Sequence, residues 1–192
     1  MKAAIKPIFF LLLLSVFSCS KSISKSVHKT RLNSNWSFKE VGAKKWLSAT
    51  VPGSVHTDLI DNEIIEDPFY RLNESKVQWI DKKDWVYRTT FHLKEGEFLK
   101  QHHELCFEGL DTYAQVFLND NLILKSNNMH RTYKIDVKKY LFRGDNELKV
   151  ILESPIKKGL ELYNAFDYKI PVSANDQAET GEVEEGKRVS VF

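Results

Sequence analysis

The chain has little of what usually stiffens a small exported protein: two cysteines, five prolines and eight glycines among 192 residues. Two cysteines cannot make a disulfide framework, so the fold must rest on its core. The longest apolar stretch, Ile8 to Phe17, falls well short of the roughly 20 residues that cross a bilayer as a helix. A permanent helical anchor is therefore not expected. Basic blocks are missing too, and the formal net charge is only +2. Without a positive field, the electrostatic footprint of nucleic-acid binding is absent. No internal repeat is visible. What the chain does have is 42% hydrophobic and 12% aromatic residues, enough for one good core in a body of roughly 170 residues.

Residues 1–19 read as an export signal: Lys2 and Lys6 precede the apolar stretch, and Ser18-Cys19-Ser20 follows it. A small residue directly before Cys19 resembles a lipoprotein cleavage box, in which Cys19 becomes the acylated first residue. The expected location is outside the cytoplasm, periplasmic or at the cell surface, with a lipid anchor to the outer membrane. Ordinary cleavage near Ser20 is the alternative. Loss of the leader removes two of the 28 basic residues and none of the 26 acidic ones, so the mature chain is balanced in charge. Residues 20–35 are polar and rich in Ser and Lys, which predicts a flexible tether, with order beginning at Trp36.

From Trp36 onward the pattern is mostly of period two. Trp85, Tyr87, Thr89, Phe91 and Leu93 would share one face of a strand, with Val86, Arg88, Thr90 and His92 on the other. Glu104–Glu108, Tyr113–Leu118, Leu122–Leu124, Tyr133–Val137 and the alternation of Leu148, Val150 and Leu152 predict further strands. Asn119-Asp120-Asn121 is a hairpin turn signal, and Arg143-Gly144-Asp145 turns the chain again. Ser54, after Pro52-Gly53, can cap a short helix over Val55–Ile60. Short strands with turn chemistry and one or two short helices predict an all-β fold, a jelly-roll β-sandwich over residues 36–192. Residues 176–188 are charged and predict an exposed loop leading to a strand at Val189; an end there leaves the sandwich incomplete.

Six motifs in fixed order carry a resemblance: Trp36-Ser37-Phe38, VPGSVHTDL at 51–59, Asp67-Pro68-Phe69-Tyr70, Gln78-Trp79, Asp84-Trp85-Val86-Tyr87-Arg88, and FEGLDTYAQVFLN at 107–119. Together they resemble the N-terminal, galactose-binding-like domain of glycoside hydrolase family 2, on the β-mannosidase branch. The resemblance implies the noncatalytic part of a retaining exo-β-mannosidase that releases terminal mannose from β-mannosides. Such chemistry needs an acid/base and a nucleophilic carboxyl roughly 5–5.5 Å apart. In the family both lie on a downstream (β/α)8 barrel, and a Trp-Asp-Trp segment follows a match like Val189–Phe192. The chain is therefore expected to be inactive alone, with the barrel as its missing partner and no cofactor. Two other readings stand beside this one: an independent carbohydrate-binding surface lipoprotein, and a scaffold without sugar affinity.

No catalytic residue is assigned. Asn73-Glu74 copies the pair that carries the acid/base on related barrels, but here it sits in a turn-like stretch with no partner carboxylate. Asp81 and Asp84 flank Lys82-Lys83 and suggest an exposed charged turn, and Asp111 suggests a local turn role. His102-His103 lack metal-ligand spacing, so no metal is expected. Cys106 reads as a buried, inert thiol, with no evident neighbour to activate it. Two residues are candidates for touching sugar. Asn119 is one, because the resemblance places an asparagine near the barrel mouth, although left-handed turn geometry is the favoured account of it; Trp79 is the other, since an aromatic face suits a pyranose.

Overall fold

The computed structural model describes residues 27–168 and the backbone of residues 182–184 and 187–188. The leader, Cys19 and the expected strand at Val189 lie outside the described residues. The compact body begins at Leu32, a little earlier than Trp36. Leu32 packs on the core, its carbonyl accepts the Trp36 indole N–H at 2.7 Å, and the Ser34 carbonyl accepts the Thr89 hydroxyl at 2.9 Å.

Six strands form one antiparallel sheet. They are β1 (Trp36–Glu40), β2 (Leu47–Ala49), β3 (Trp85–Leu93), β5 (Tyr113–Leu118), β6 (Asn121–Asn127) and β8 (Gly144–Leu152). Their spatial order is β2-β1-β3-β8-β5-β6. A second, two-stranded sheet pairs β4 (Glu104–Phe107) with β7 (Tyr133–Asp136). β3 and β8 run side by side over nine pairs, from Trp85 opposite Leu152 to Leu93 opposite Gly144. The period-two reading of β3 holds from Tyr87 on, with Tyr87 and Thr89 buried and Thr90 and His92 exposed, whereas at the start of the strand Trp85 and Val86 are buried on both faces. Phe38 stacks on Tyr87 with ring centres 5.3 Å apart and is wholly buried, with Val116, Leu148 and Val150 in the same cluster.

Asn119 and Asp120 take φ of 48° and 61° between β5 and β6. Positive φ at both central residues makes a type I′ turn, whose twist matches that of the strands, and this is why Asn-Asp marked the hairpin. Gly144, at φ +96°, starts β8 in a conformation that few other residues adopt.

Helix is more abundant than the sequence suggested. Beside α1 (Val55–Asp61), which Ser54 caps as expected, there are α2 (Asn73–Val77), α3 (Glu95–Phe98) and α4 (Pro155–Ala165). α4 starts on Ser154, whose hydroxyl accepts the Lys157 N–H at 3.1 Å, with Pro155 in its first turn. Within the expected loop at 176–188, β9 (Glu182–Glu184) pairs antiparallel with β10 (Lys187–Arg188). Only Val183 in that ladder is apolar, so no alternation announced it.

Candidate functional site

Between β2 and β3 the chain leaves the sheet and builds an excursion over residues 50–84 that contains α1 and α2. Its entry is tight: a Cβ on Gly53 would lie 2.3 Å from the Thr50 carbonyl oxygen, so any other residue would displace backbone. Ser54 and Thr57 then form a reciprocal capping box at the start of α1. One helical turn on, Asp58 is 1% exposed. Its carboxylate accepts the Thr50 N–H and the Tyr87 hydroxyl, each at 2.8 Å, and so ties α1 to β3. Burial first, then the Asp58 hydrogen bond and charge, push the Tyr87 hydroxyl well above the usual phenol range.

A second staple shapes the tip of the excursion. The Asp67 carboxylate accepts the Phe69 N–H at 2.9 Å, and its carbonyl accepts the Tyr70 N–H at 3.1 Å. Buried Asn73 donates its amide to the same carbonyl at 3.0 Å. Arg71, held between them, takes φ 56°, a left-handed conformation that costs on the order of 1 kcal/mol or more for a side chain of this kind. Beside this tip lies a cavity of about 220 Å³ lined by Ile64, Ile65, Glu66, Asn73, Lys76, Val77 and Trp79. Glu66 and Lys76 pair across its rim at 3.2 Å.

Trp79 does line this cavity. It is half-buried, with its ring 6.0 Å from that of Trp85, which is core as its strand position implies. Asn119 lies elsewhere, at the β5–β6 turn. Both its amide protons are engaged, by the Tyr140 carbonyl and Asn146 Oδ1 at 2.8 Å, and its Oδ1 accepts the Glu147 N–H at 2.9 Å. The side chain therefore holds the sandwich together, and only one lone pair of Oδ1 is left for anything else. The structure does not bring Asn119 and Trp79 into one site.

The acidic candidates are likewise separate. Glu74 is exposed on the first turn of α2, and Asp111 is exposed and bonded to the neighbouring Thr112 hydroxyl. Asp81 and Asp84 are not the exposed turn that the sequence suggested, because the start of α4 docks on them. The Asp81 carbonyl accepts the Ser154 hydroxyl at 2.6 Å, while Asp84 accepts the Ser154 N–H at 2.8 Å and pairs with Lys157 at 3.0 Å. Burial raises Asp81 above the ordinary carboxylate range; at Asp84 burial acts the same way, but the Ser154 N–H and the Lys157 ammonium outweigh it and lower the group. The two are thus pushed in opposite directions where α4 docks.

Of the histidine pair, His102 is exposed and His103 half-buried, with its Nε2–H donating to the Glu97 carbonyl at 2.9 Å. Among the described residues no three His, Cys, Asp or Glu side chains converge as a metal site would require. Cys106 is corrected: it is exposed. On β4 the inward positions belong to Leu105 and Phe107, so the intervening Cys106 faces water.

Two residues that organise the fold escaped the sequence reading. Asp58 looked like an ordinary polar position of an amphipathic helix. Asn146, 2% exposed, donates to the Phe142 and Gly144 carbonyls and accepts from the Phe142 N–H and from Asn119, which uses its full hydrogen-bonding capacity. A buried asparagine three residues after Arg143 in a turn-rich stretch was the available signal.

Antiparallel sheets with few short helices, arranged as a sandwich, are the architecture of a galactose-binding-like domain. More particularly, residues 36–187 match the family described as glycosyl hydrolase 2 galactose-binding domain-like, and the chain belongs to that family. It is 39% identical over 142 residues to β-mannosidase B of Aspergillus terreus, covering 71% of this chain and 17% of that protein. With the β-mannosidase of Bos taurus it shares 35% over 145 residues, covering 76% of this chain and 16% of that protein. The crystal structure of β-D-mannosidase from Dictyoglomus thermophilum superposes with a TM-score of 0.73 at 40% identity, over 74% of this chain and 18% of that one. An exo-chitosanase of Amycolatopsis orientalis, at 18% identity and TM-score 0.55, covers 62% of this chain and 16% of that one and shares the fold. The chain thus spans about a sixth of the length of the β-mannosidases it matches, and it is an N-terminal domain of the β-mannosidase-like type.

Proposed function

We propose that this is the noncatalytic N-terminal domain of an exported, lipid-anchored, retaining exo-β-mannosidase, and that it docks on a catalytic barrel to form one wall of the mannose pocket. The observation that carries this reading is the 40% identical match to a β-D-mannosidase structure of which the chain covers 18%. The geometry supports it in two ways. Among the described residues, the acidic side chains singled out by the sequence sit in structural settings: Glu74 on the first turn of α2, Asp84 on the start of α4 and Asp111 against Thr112. The cavity beside Trp79, at about 220 Å³, falls below the roughly 300–1,000 Å³ typical of sites that enclose a ligand. It is suited to be a wall, completed by a second surface. Cys19 would carry the lipid, outside the cytoplasm.

The test uses the D. thermophilum β-D-mannosidase deleted for its matching region, first shown to regain hydrolysis of a chromogenic β-mannoside when its own N-terminal domain is added in trans. This chain should be silent alone and should restore activity in the mixture. Activity of the chain alone, or no rescue where the relative's own domain rescues, would overturn the reading.

A further inference from the structure

The tip of the excursion is unlike the rest of the surface. Phe69 is 97% exposed and Leu72 81%, with Tyr70 and Ile64 more than half exposed, so four large apolar side chains stand out within nine residues. Other exposed apolar residues, such as Leu99, Leu122 and Phe142, are separated along the chain, and in the one other close group, Leu162, Phe166 and Tyr168, none is exposed as far as Phe69 or Leu72. Single exposed apolar groups are ordinary, whereas a contiguous set marks an interaction surface.

The tip is also held in shape. Asp67 fixes the Phe69 and Tyr70 amides, Asn73 clamps the Asp67 carbonyl from within, and the Arg71 guanidinium lies 5.0 Å over the Tyr70 ring. A strained, left-handed Arg71 persists at its centre. A display fixed before binding loses little conformational freedom on contact, which favours a docking role over a loosely collapsed loop.

We infer that the Ile64–Leu72 tip is the docking surface for the catalytic portion of a β-mannosidase polypeptide. The inference rests on the function proposed above and deepens it by naming the contact. The occupant is argued from two facts. In the β-mannosidases that match this chain, roughly five times the length of the matched region lies outside it, so a large protein surface accompanies this domain in them. The tip also runs directly into the Trp79 cavity, with Ile64, Ile65 and Glu66 common to both and Asn73, which clamps the tip, in the cavity wall. A partner seated on the tip therefore lies beside the cavity that Ile64, Ile65 and Glu66 help to line.

The experiment extends the rescue assay. The full chain, the double variant Phe69→Ser/Leu72→Ser and the control Leu99→Ser are each titrated into the deleted D. thermophilum enzyme. Binding is followed by sedimentation, rescue by β-mannoside hydrolysis, and folding by thermal melting. The double variant should melt with the wild type, since both side chains are already in water, yet bind at least 100-fold more weakly and fail to rescue. Leu99→Ser should behave as wild type. Equal binding by the double variant overturns the docking surface and leaves the proposed function standing. Absence of binding by the unaltered chain overturns the proposed function and this inference with it. A wild-type dimer that the double variant abolishes would make a second copy the occupant, and would overturn the assignment.

Discussion

From Trp85 to Leu152 the chain keeps its shape by alternation, with Tyr87, Val116, Leu148 and Val150 facing one core across hydrogen-bonded strands. From Thr50 to Asp84 it keeps its shape by polar staples: Asp58 on Thr50 and Tyr87, Asp67 on Phe69, and Asn73 on Asp67. The first region buries Trp85 and Tyr87, with Phe142 its one strongly exposed aromatic, and the second shows Phe69 and Tyr70 to solvent. A surface that must meet a partner cannot also be the glue of its own segment, so the excursion borrows rigidity from buried carboxylate and amide groups instead.

The largest effect should come from breaking the apolar region. Phe38 is fully buried and its ring packs on both Trp85 and Tyr87. Phe38→Ala should cost about 4 kcal/mol through lost transfer energy and the cavity left behind, and should unfold sheet and excursion together. Urea denaturation followed by far-UV circular dichroism and by tryptophan fluorescence would check this. Transitions that separate would show that the excursion does not depend on the sheet.

Breaking a staple should be milder and should begin locally. Asp58→Ala leaves the Tyr87 hydroxyl and the Thr50 N–H buried without their acceptor, a loss of about 3 kcal/mol. Hydrogen exchange should quicken first in residues 50–62, with β5 and β8 protected longer. Alkaline titration sharpens the point. Because the folded state raises Tyr87, it keeps the phenolic proton while the unfolded chain releases it near pH 10, so this contribution is whole below about pH 10 and falls as pH rises beyond it. In Tyr87→Phe that part of the alkaline slope should vanish.

The same contrast explains what the sequence made legible. β3 and β8 announce themselves because a half-buried strand writes its burial as period two, and Asn119-Asp120 announces its turn because both residues tolerate positive φ. α1 was legible from Ser54. α2 was not, since it runs only five residues, from Leu72, without a side-chain cap. α4 carried a start signal in Ser154-Pro155 and an apolar row of Ile156, Leu160 and Tyr163, so it could have been found. Asp58 could not, because a carboxylate whose partner lies 29 residues away looks like surface polarity in a linear pattern. The motifs that carried the resemblance turn out to be joined in space: the Asp58 of one bonds the Tyr87 of another. Of the two sugar candidates, the one chosen for its aromatic face lines a cavity, whereas the one chosen by analogy to a turn spends its side chain on Tyr140, Asn146 and Glu147.

The smallest effect tests where the apolar region ends. β4 points Leu105 and Phe107 at the core, which turns Cys106 to water with no packing to lose. Cys106→Ser removes a thiol whose sulfur is already solvated, and stability should stay within about 0.5 kcal/mol of the wild type. In the native wild-type domain the thiol should be modified by an aromatic disulfide reagent without denaturant, at a rate that the denaturant concentration does not change below the unfolding transition. A lag that vanishes only on unfolding would mean that β4 is shifted by one residue, which would carry Cys106 inward and Leu105 and Phe107 out together, since a single step in register exchanges the two faces of a strand.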